Sequence, residues 1–136
     1  MATPKTITIT NKANSYESLI TNGRHTVIAD EPEDLGGTDK GMDPVELVLA
    51  GLAECKVVTV RAKANKLGVE LGEIRATLSI ETGKGEGRNL ASNIEVKLDW
   101  DTATSEEITE KILGAAGRCY VHRLLQGSFE ISTIRA

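Results

Sequence analysis

The stretch from Asp43 to Lys66 constrains this chain more than any other, because its pattern leaves little alternative to a long buried helix. Asp43 suits the cap position, and Pro44 suits the first helical position, where no amide hydrogen is required. Glu46 stands where its carboxylate can reach back to the Asp43 amide. One apolar stripe then reads Val48, Leu52, Cys55, Thr59 and Ala62, and the adjacent one reads Leu47, Gly51 and Val58, until Gly68 stops the pattern. An arc this wide, with the small residues Ala50, Gly51 and Ala53, predicts a buried helix packed closely on another helix.

Around that helix the chain alternates with period two. Residues 5–11, 15–21 and 24–29 read as three strands, the last two joined by a tight Asn22-Gly23 turn. Residues 30–42 break down into Asp, Glu, Pro and Gly, including Gly36-Gly37, which predicts a long loop of the kind where function often resides. Residues 70–81 and 93–100 alternate again, through Leu71, Ile74, Ala76, Leu78 and Ile80, then Ile94, Val96, Leu98 and Trp100. The Gly83-Lys84-Gly85-Glu86-Gly87 segment between them precedes a strand rather than a helix N-terminus, so it reads as a hairpin and not a phosphate cradle. Thr104 or Ser105 caps a second helix with Glu106 and Glu107 in its first turn. That helix runs to about Gly117, a short helical turn covers 119–125, and residues 129–134 read as a closing strand. The expected order is β-β-β-α-β-β-α-β, an α+β fold in a single domain over residues 1–136.

Composition removes several function classes. A net charge of −4, without a dense basic patch, argues against nucleic acid as a partner. No segment approaches membrane-spanning length and the start of the chain lacks a secretory apolar run, so the expectation is a cytoplasmic protein with no membrane partner.

The chemistry then falls to two cysteines, Cys55 on the long helix and Cys119 near the second. A cysteine reacts as its thiolate, and apolar burial alone works against ionisation, so a reactive Cys55 needs a cation or donors nearby. Arg24, His25, Arg118 and Arg123 are the candidates. If the sulfurs meet, one can be oxidised to a sulfenic acid and condense with the other to a disulfide. Two inert buried thiols are an equally plain reading. A third is zinc held by Cys119-x-x-His122 with Cys55 and His25, although zinc sites usually draw on two close-spaced pairs.

Two longer patterns narrow these alternatives. Asp30-Glu31-Pro32, Gly36-Gly37 and Asp43-Pro44-x-Glu46-Leu47 running into Ala50-Gly51-Leu52-Ala53-x-Cys55 form the first; Cys119-Tyr120-Val121-His122-Arg123-x-Leu125 before a closing strand forms the second. Together they resemble the OsmC/Ohr family, and its general OsmC-like branch in particular. The resemblance implies an intertwined homodimer around a long central helix. It also implies reduction of organic hydroperoxides by the cysteines themselves with no cofactor and no metal, using a dithiol reductant of the lipoyl type. By position, Cys55 matches the peroxidatic cysteine and Cys119 the resolving one. Arg24 is the natural candidate for the arginine that stabilises the thiolate. The family glutamate position holds Val45 here. The neighbouring Glu46 lies nine residues before Cys55, about 180° around an ideal helix, so it reads first as a cap and second as a site residue. Val48, Leu52 and Leu125 are candidates to line a pocket for the alkyl part of a substrate. The alternative function is non-enzymatic: a dimer of the same fold binding a hydrophobic small molecule, with structural or redox-sensing cysteines.

Overall fold

Alternating Thr and Ile near the start of the chain become the edge of a small antiparallel meander in the computed structural model, which describes residues 3–136. Strand β1 (Thr8–Asn11) pairs with β2 (Ser18–Thr21), and β2 with β3 (Thr26–Ala29). The register sets Ile9 opposite Ile20 and Leu19 opposite Ile28. The β2–β3 connection is four residues rather than two. The Asn22 side chain accepts from the amides of both Arg24 and His25, and this Asx turn holds Arg24 and His25 out of β3.

The loop after β3 is organised by a buried carboxylate. Asp30, 2% exposed, accepts from the amides of Glu31, Thr38 and Lys40 and from the Thr38 hydroxyl at 2.6 Å. A Cβ on Gly37 would lie 1.9 Å from the Glu31 carbonyl oxygen, so only glycine lets the loop fold back this tightly. The buried Glu17 beside it pairs with Lys12 and, at 3.3 Å, with Lys40.

Helix α1 (Pro44–Leu67) begins with the reciprocal cap its sequence predicts. The Asp43 amide donates to Glu46 Oε1 at 3.0 Å, and the Glu46 amide to Asp43 Oδ1 at 2.8 Å. The chain divides into two compact units, Met1–Val48 and Leu49–Ala136, and α1 starts in the first and runs through the second.

In the second unit, α1 is followed by a long hairpin, β4 (Ile74–Lys84) and β5 (Leu90–Trp100). Its register places Ile74, Ala76, Leu78 and Ile80 opposite Trp100, Leu98, Val96 and Ile94. Over these four pairs one face is apolar, while Arg75, Thr77 and Ser79 oppose Asp99, Lys97 and Glu95 on the other, the cross-strand arrangement that stabilises an antiparallel pair. The strands extend to Lys84 and Leu90, shortening the glycine segment to a tight turn. Helix α2 (Glu106–Ala116) starts at Ser105, whose hydroxyl accepts from the Ile108 amide at 3.2 Å, and α3 (Tyr120–Gln126) follows directly. The core here consists of Val60, Ala64, Leu71, Ile112 and Ala116, with Ile74, Leu98 and Trp100 against it.

One expected element is missing. Residues 129–134 alternate as a strand should, but no strand runs beside them among the described residues. Phe129, Ile131 and Ile134 are 55%, 86% and 88% exposed. A strand needs a neighbour for its amides and carbonyls, and the described residues do not supply one.

Candidate active site

The α2–α3 junction is where the second unit gathers its chemistry. Gly117 closes α2 through its amide to the Leu113 carbonyl, and Cys119 becomes the N-cap of α3 with extended backbone. The amides of Tyr120 and Val121 thus occupy the first turn of a helix, where no intrahelical carbonyl is available to them. Val121 N–H donates to the sulfur of Cys55 at 3.3 Å, and the Tyr120 amide also favours the anion there. The Cys119 side chain also favours the anion of the same thiol. The structure therefore brings together two thiols that lie far apart in sequence, one half-buried on α1 and one 2% exposed at the cap of α3.

The electrostatic balance at Cys55 has a clear sign. Burial pushes its thiol up and is the largest single influence. Against it act the Val121 amide, the Cys119 side chain, the Tyr120 amide and the Thr59 hydroxyl, which together bring the thiol below its ordinary value. Each donor favours the anion over the thiol. The Thr59 hydroxyl is also bonded to the Cys55 carbonyl at 2.7 Å. A hydroxyl has one proton, so these two acceptors compete for it.

Beside the sulfurs lies a residue the sequence reading passed over. Lys56, next to Cys55 on α1, is 4% exposed. Its ammonium donates to the Ala116 carbonyl at 2.7 Å and lies 2.6 Å from Nδ1 of His122 on α3. The Ala116 carbonyl belongs to the last turn of α2, where unpaired carbonyls and the helix dipole both favour a cation. The available signal was a lysine flanked by Cys55 and Val57 within an arc otherwise read as apolar. The contributions of the α3 amides had no comparable signal, since backbone donors carry no sequence mark.

Arg24 is exposed on the β2–β3 turn of the first unit, with its amide on Asn22 Oδ1. Glu46 is exposed and accepts from the Asp43 amide in the α1 cap. Leu52 is 4% exposed on α1 one turn before Cys55, Leu125 is half-buried on α3, and Val48 is exposed. Among the described residues no group of three or more His, Cys, Asp and Glu side chains is arranged to hold a metal. Nδ1 of His122, one of the ligands weighed for zinc, faces Lys56. No helix is long and apolar enough to cross a membrane.

Comparison with known proteins places this arrangement. No curated protein sequence matches the chain, but solved structures do. An OsmC-like protein from Mycoplasma pneumoniae superposes with a TM-score of 0.72 at 21% identity, over 93% of this chain and 90% of the other. An organic hydroperoxide resistance protein from Elizabethkingia anophelis gives 0.68 at 23% identity, over 93% and 92%. The organic hydroperoxide resistance protein of Bacillus subtilis gives 0.65 at 17%, over 90% and 91%. At these identities the likeness concerns the fold. Residues 37–134, which include both cysteines and all three helices, match the family model for OsmC-like proteins. That match spans well over half the chain and, with the shared α+β architecture, makes this protein a member of the OsmC-like family.

Proposed function

We propose that the protein is a thiol-dependent peroxidase of organic hydroperoxides, with residues 1–136 acting as one domain in a homodimer. The observation that carries this reading is the Cys55 sulfur, which accepts from the Val121 amide and whose ionisation is eased by that amide, the Cys119 side chain and the Tyr120 amide. A sulfur made more acidic with a second thiol close enough to act on it is what a sulfenic acid–disulfide cycle requires. Family membership and the organic hydroperoxide resistance proteins of the same fold support the substrate class.

In the proposed cycle the Cys55 thiolate attacks the distal oxygen of the hydroperoxide. The S–O bond forms as the O–O bond breaks, leaving Cys55 as the sulfenic acid and releasing an alkoxide that takes up a proton to become the alcohol. Cys119 then attacks the sulfenic sulfur, its thiol proton leaves with the hydroxyl as water, and a Cys55–Cys119 disulfide remains. An external dithiol of the lipoyl type returns both thiols by exchange and is itself oxidised to its disulfide. Leu52 and Leu125 are assigned to the alkyl part of the substrate. Arg24 is assigned to the departing alkoxide within the assembled dimer, with Glu46 as the acid that would orient it.

The dimer is supported by what the single chain leaves uncovered. Ile131 and Ile134 stand almost fully exposed on an unpaired alternating segment, and Ile9, Val27, Val58 and Leu124 are exposed as well. A second copy offers the 129–134 segment the neighbour it lacks, and sedimentation should give twice the chain mass.

The deciding experiment adds cumene hydroperoxide to fully reduced protein and counts both free thiols and residual hydroperoxide. The expected result is loss of two thiols per hydroperoxide consumed, with alcohol as product. Survival of both thiols beside unconsumed hydroperoxide would overturn the enzymatic reading in favour of a ligand-binding dimer.

A further inference from the structure

A buried lysine without a carboxylate is an expensive thing to keep. Removing an ammonium from water costs several kcal/mol unless its hydrogen bonds are replaced, and lysine is almost never fully buried unless paired. Among the described residues no carboxylate pairs with Lys56; its recorded partners are the Ala116 carbonyl and His122 Nδ1. As a filler of apolar space, methionine would serve at this position without the desolvation penalty. The partners say what the lysine does instead. Ala116 ends α2 and His122 lies on the first turn of α3, one residue beyond the amide that donates to the Cys55 sulfur. One ammonium thus ties α1 to both helices at the point where α3 aims its amides at the thiol.

We infer that Lys56 and His122 form a clamp that positions α3 over the reactive thiol, with the Lys56 side chain bridging α1 to α2 and α3 and His122 as its partner on α3. The inference rests on the thiol-peroxidase reading only for its purpose; the clamp itself is a statement about geometry and thiol ionisation. The contact between Lys56 Nζ and His122 Nδ1 at 2.6 Å fixes which face of the imidazole meets α1. The α3 helix, only seven residues long, has little of its own to hold its first turn in place, and the Lys56 contact supplies the restraint. Both are positioning residues. The titratable groups meeting here are Cys55 and Lys56 from α1, Cys119 from the α2–α3 junction and His122 from α3. Arg118, Tyr120 and Arg123 are exposed.

The test titrates Cys55 alone, by thiolate ultraviolet absorbance and by alkylation rate, in a Cys119→Ser background whose serine hydroxyl keeps a donor at that position. Lys56→Met removes the bridging amine at similar volume, His122→Leu removes its partner on α3, and His122→Gln offers a replacement partner. Lys56→Met and His122→Leu should each raise the Cys55 midpoint by about one pH unit, a roughly tenfold loss of thiolate at fixed pH. His122→Gln should restore at least half of that loss. A folded Lys56→Met or His122→Leu protein that titrates at the parent midpoint overturns the clamp, as does a His122→Gln protein no better than His122→Leu. Should Lys56→Met not fold, the two His122 variants decide, because their position is only half-buried and leaves the core intact. No hydroperoxide enters the measurement. Shifted midpoints without hydroperoxide turnover in the parent protein would remove the peroxidase reading and leave the clamp, and the reverse result would do the opposite.

Discussion

Asp30 and Cys55 solve the same electrostatic problem in opposite ways. Each is an acidic side chain in a protected place, and each is met by backbone amides. Asp30 takes all its donors from residues 31–40. The Thr38 hydroxyl leads them, and the carboxyl is held at about 2 against an ordinary 3.8. It is therefore ionised at any ordinary pH and serves as the fixed hub of a loop. Cys55 takes its donors from its own helix and from a segment 66 positions away, and burial is the largest influence on it. Its donors outweigh that burial collectively, with no single dominant partner. A site built for structure is over-supplied with local donors; a site suited to reaction stays sensitive to each of several distant ones.

The sharpest break of this contrast is removal of the sulfur itself. Cys55→Ser should abolish hydroperoxide consumption completely while leaving the melting temperature close to that of the parent, since serine nearly matches the shape of cysteine and the α3 amides still meet an acceptor. A coupled assay beside a thermal melt checks both halves. Residual turnover above the uncatalysed rate would move the nucleophile to another residue.

Cys119→Ser separates the two sulfurs. The first equivalent of hydroperoxide should still be consumed, but the sulfenic acid would persist and be trapped by dimedone, as mass spectrometry of the intact protein would show. Steady turnover with a dithiol should fall at least about tenfold, because the protected internal attack is lost. Unchanged turnover would mean that the external reductant, and not Cys119, resolves the intermediate.

How legible each site was in the sequence follows the same division. The α1 cap was readable because Asp43, Pro44 and Glu46 carry their conformational preferences with them, and the β4–β5 hairpin because one apolar face repeats every second residue. The Ser105 cap was readable for the first of these reasons. Cys55 and Cys119 stood out as nucleophiles. What surrounds them did not, since the amides of Tyr120 and Val121 become donors only once α3 begins at Cys119. Lys56 was hidden because lysine is normally read as a solvated side chain. The Asn22-Gly23 pair signalled a turn, but not that the Asn22 side chain would extend it to four residues. The 129–134 segment shows the opposite failure: its alternation is real, yet a strand is a relation between two segments, and the described residues of one chain hold no partner for it.

Asp30→Asn tests the structural member of the pair. Asparagine keeps the shape but loses the negative charge that four donors converge on, so the melting temperature should fall by several degrees. The pH dependence carries the sign. The folded carboxyl lies below its ordinary value, so its contribution is full above about pH 4 and disappears as pH falls through about 2. Urea midpoints of parent and variant should therefore differ most at neutral pH and converge in acid. A gap independent of pH would assign the loss to altered hydrogen-bond geometry and not to charge.

The smallest expected effect is the most informative about Cys55. Thr59 donates its one hydroxyl proton to the Cys55 carbonyl at 2.7 Å, and it is also the last of the influences that lower the Cys55 thiol. When the thiol is protonated the carbonyl is the better acceptor, and when it ionises the charge on sulfur draws the proton across. Thr59→Val keeps the branched shape and deletes the donor. Half-shared before ionisation, such a bond contributes less than a dedicated one, and the Cys55 alkylation rate at neutral pH should fall only about two- to threefold. A tenfold fall would make Thr59 a principal donor equal to the α3 amides, and the thiol would then owe its acidity to its own helix. No change would assign the proton wholly to the carbonyl and leave α3 and Cys119 as the source of the effect, which is the arrangement most dependent on α3 being held in place.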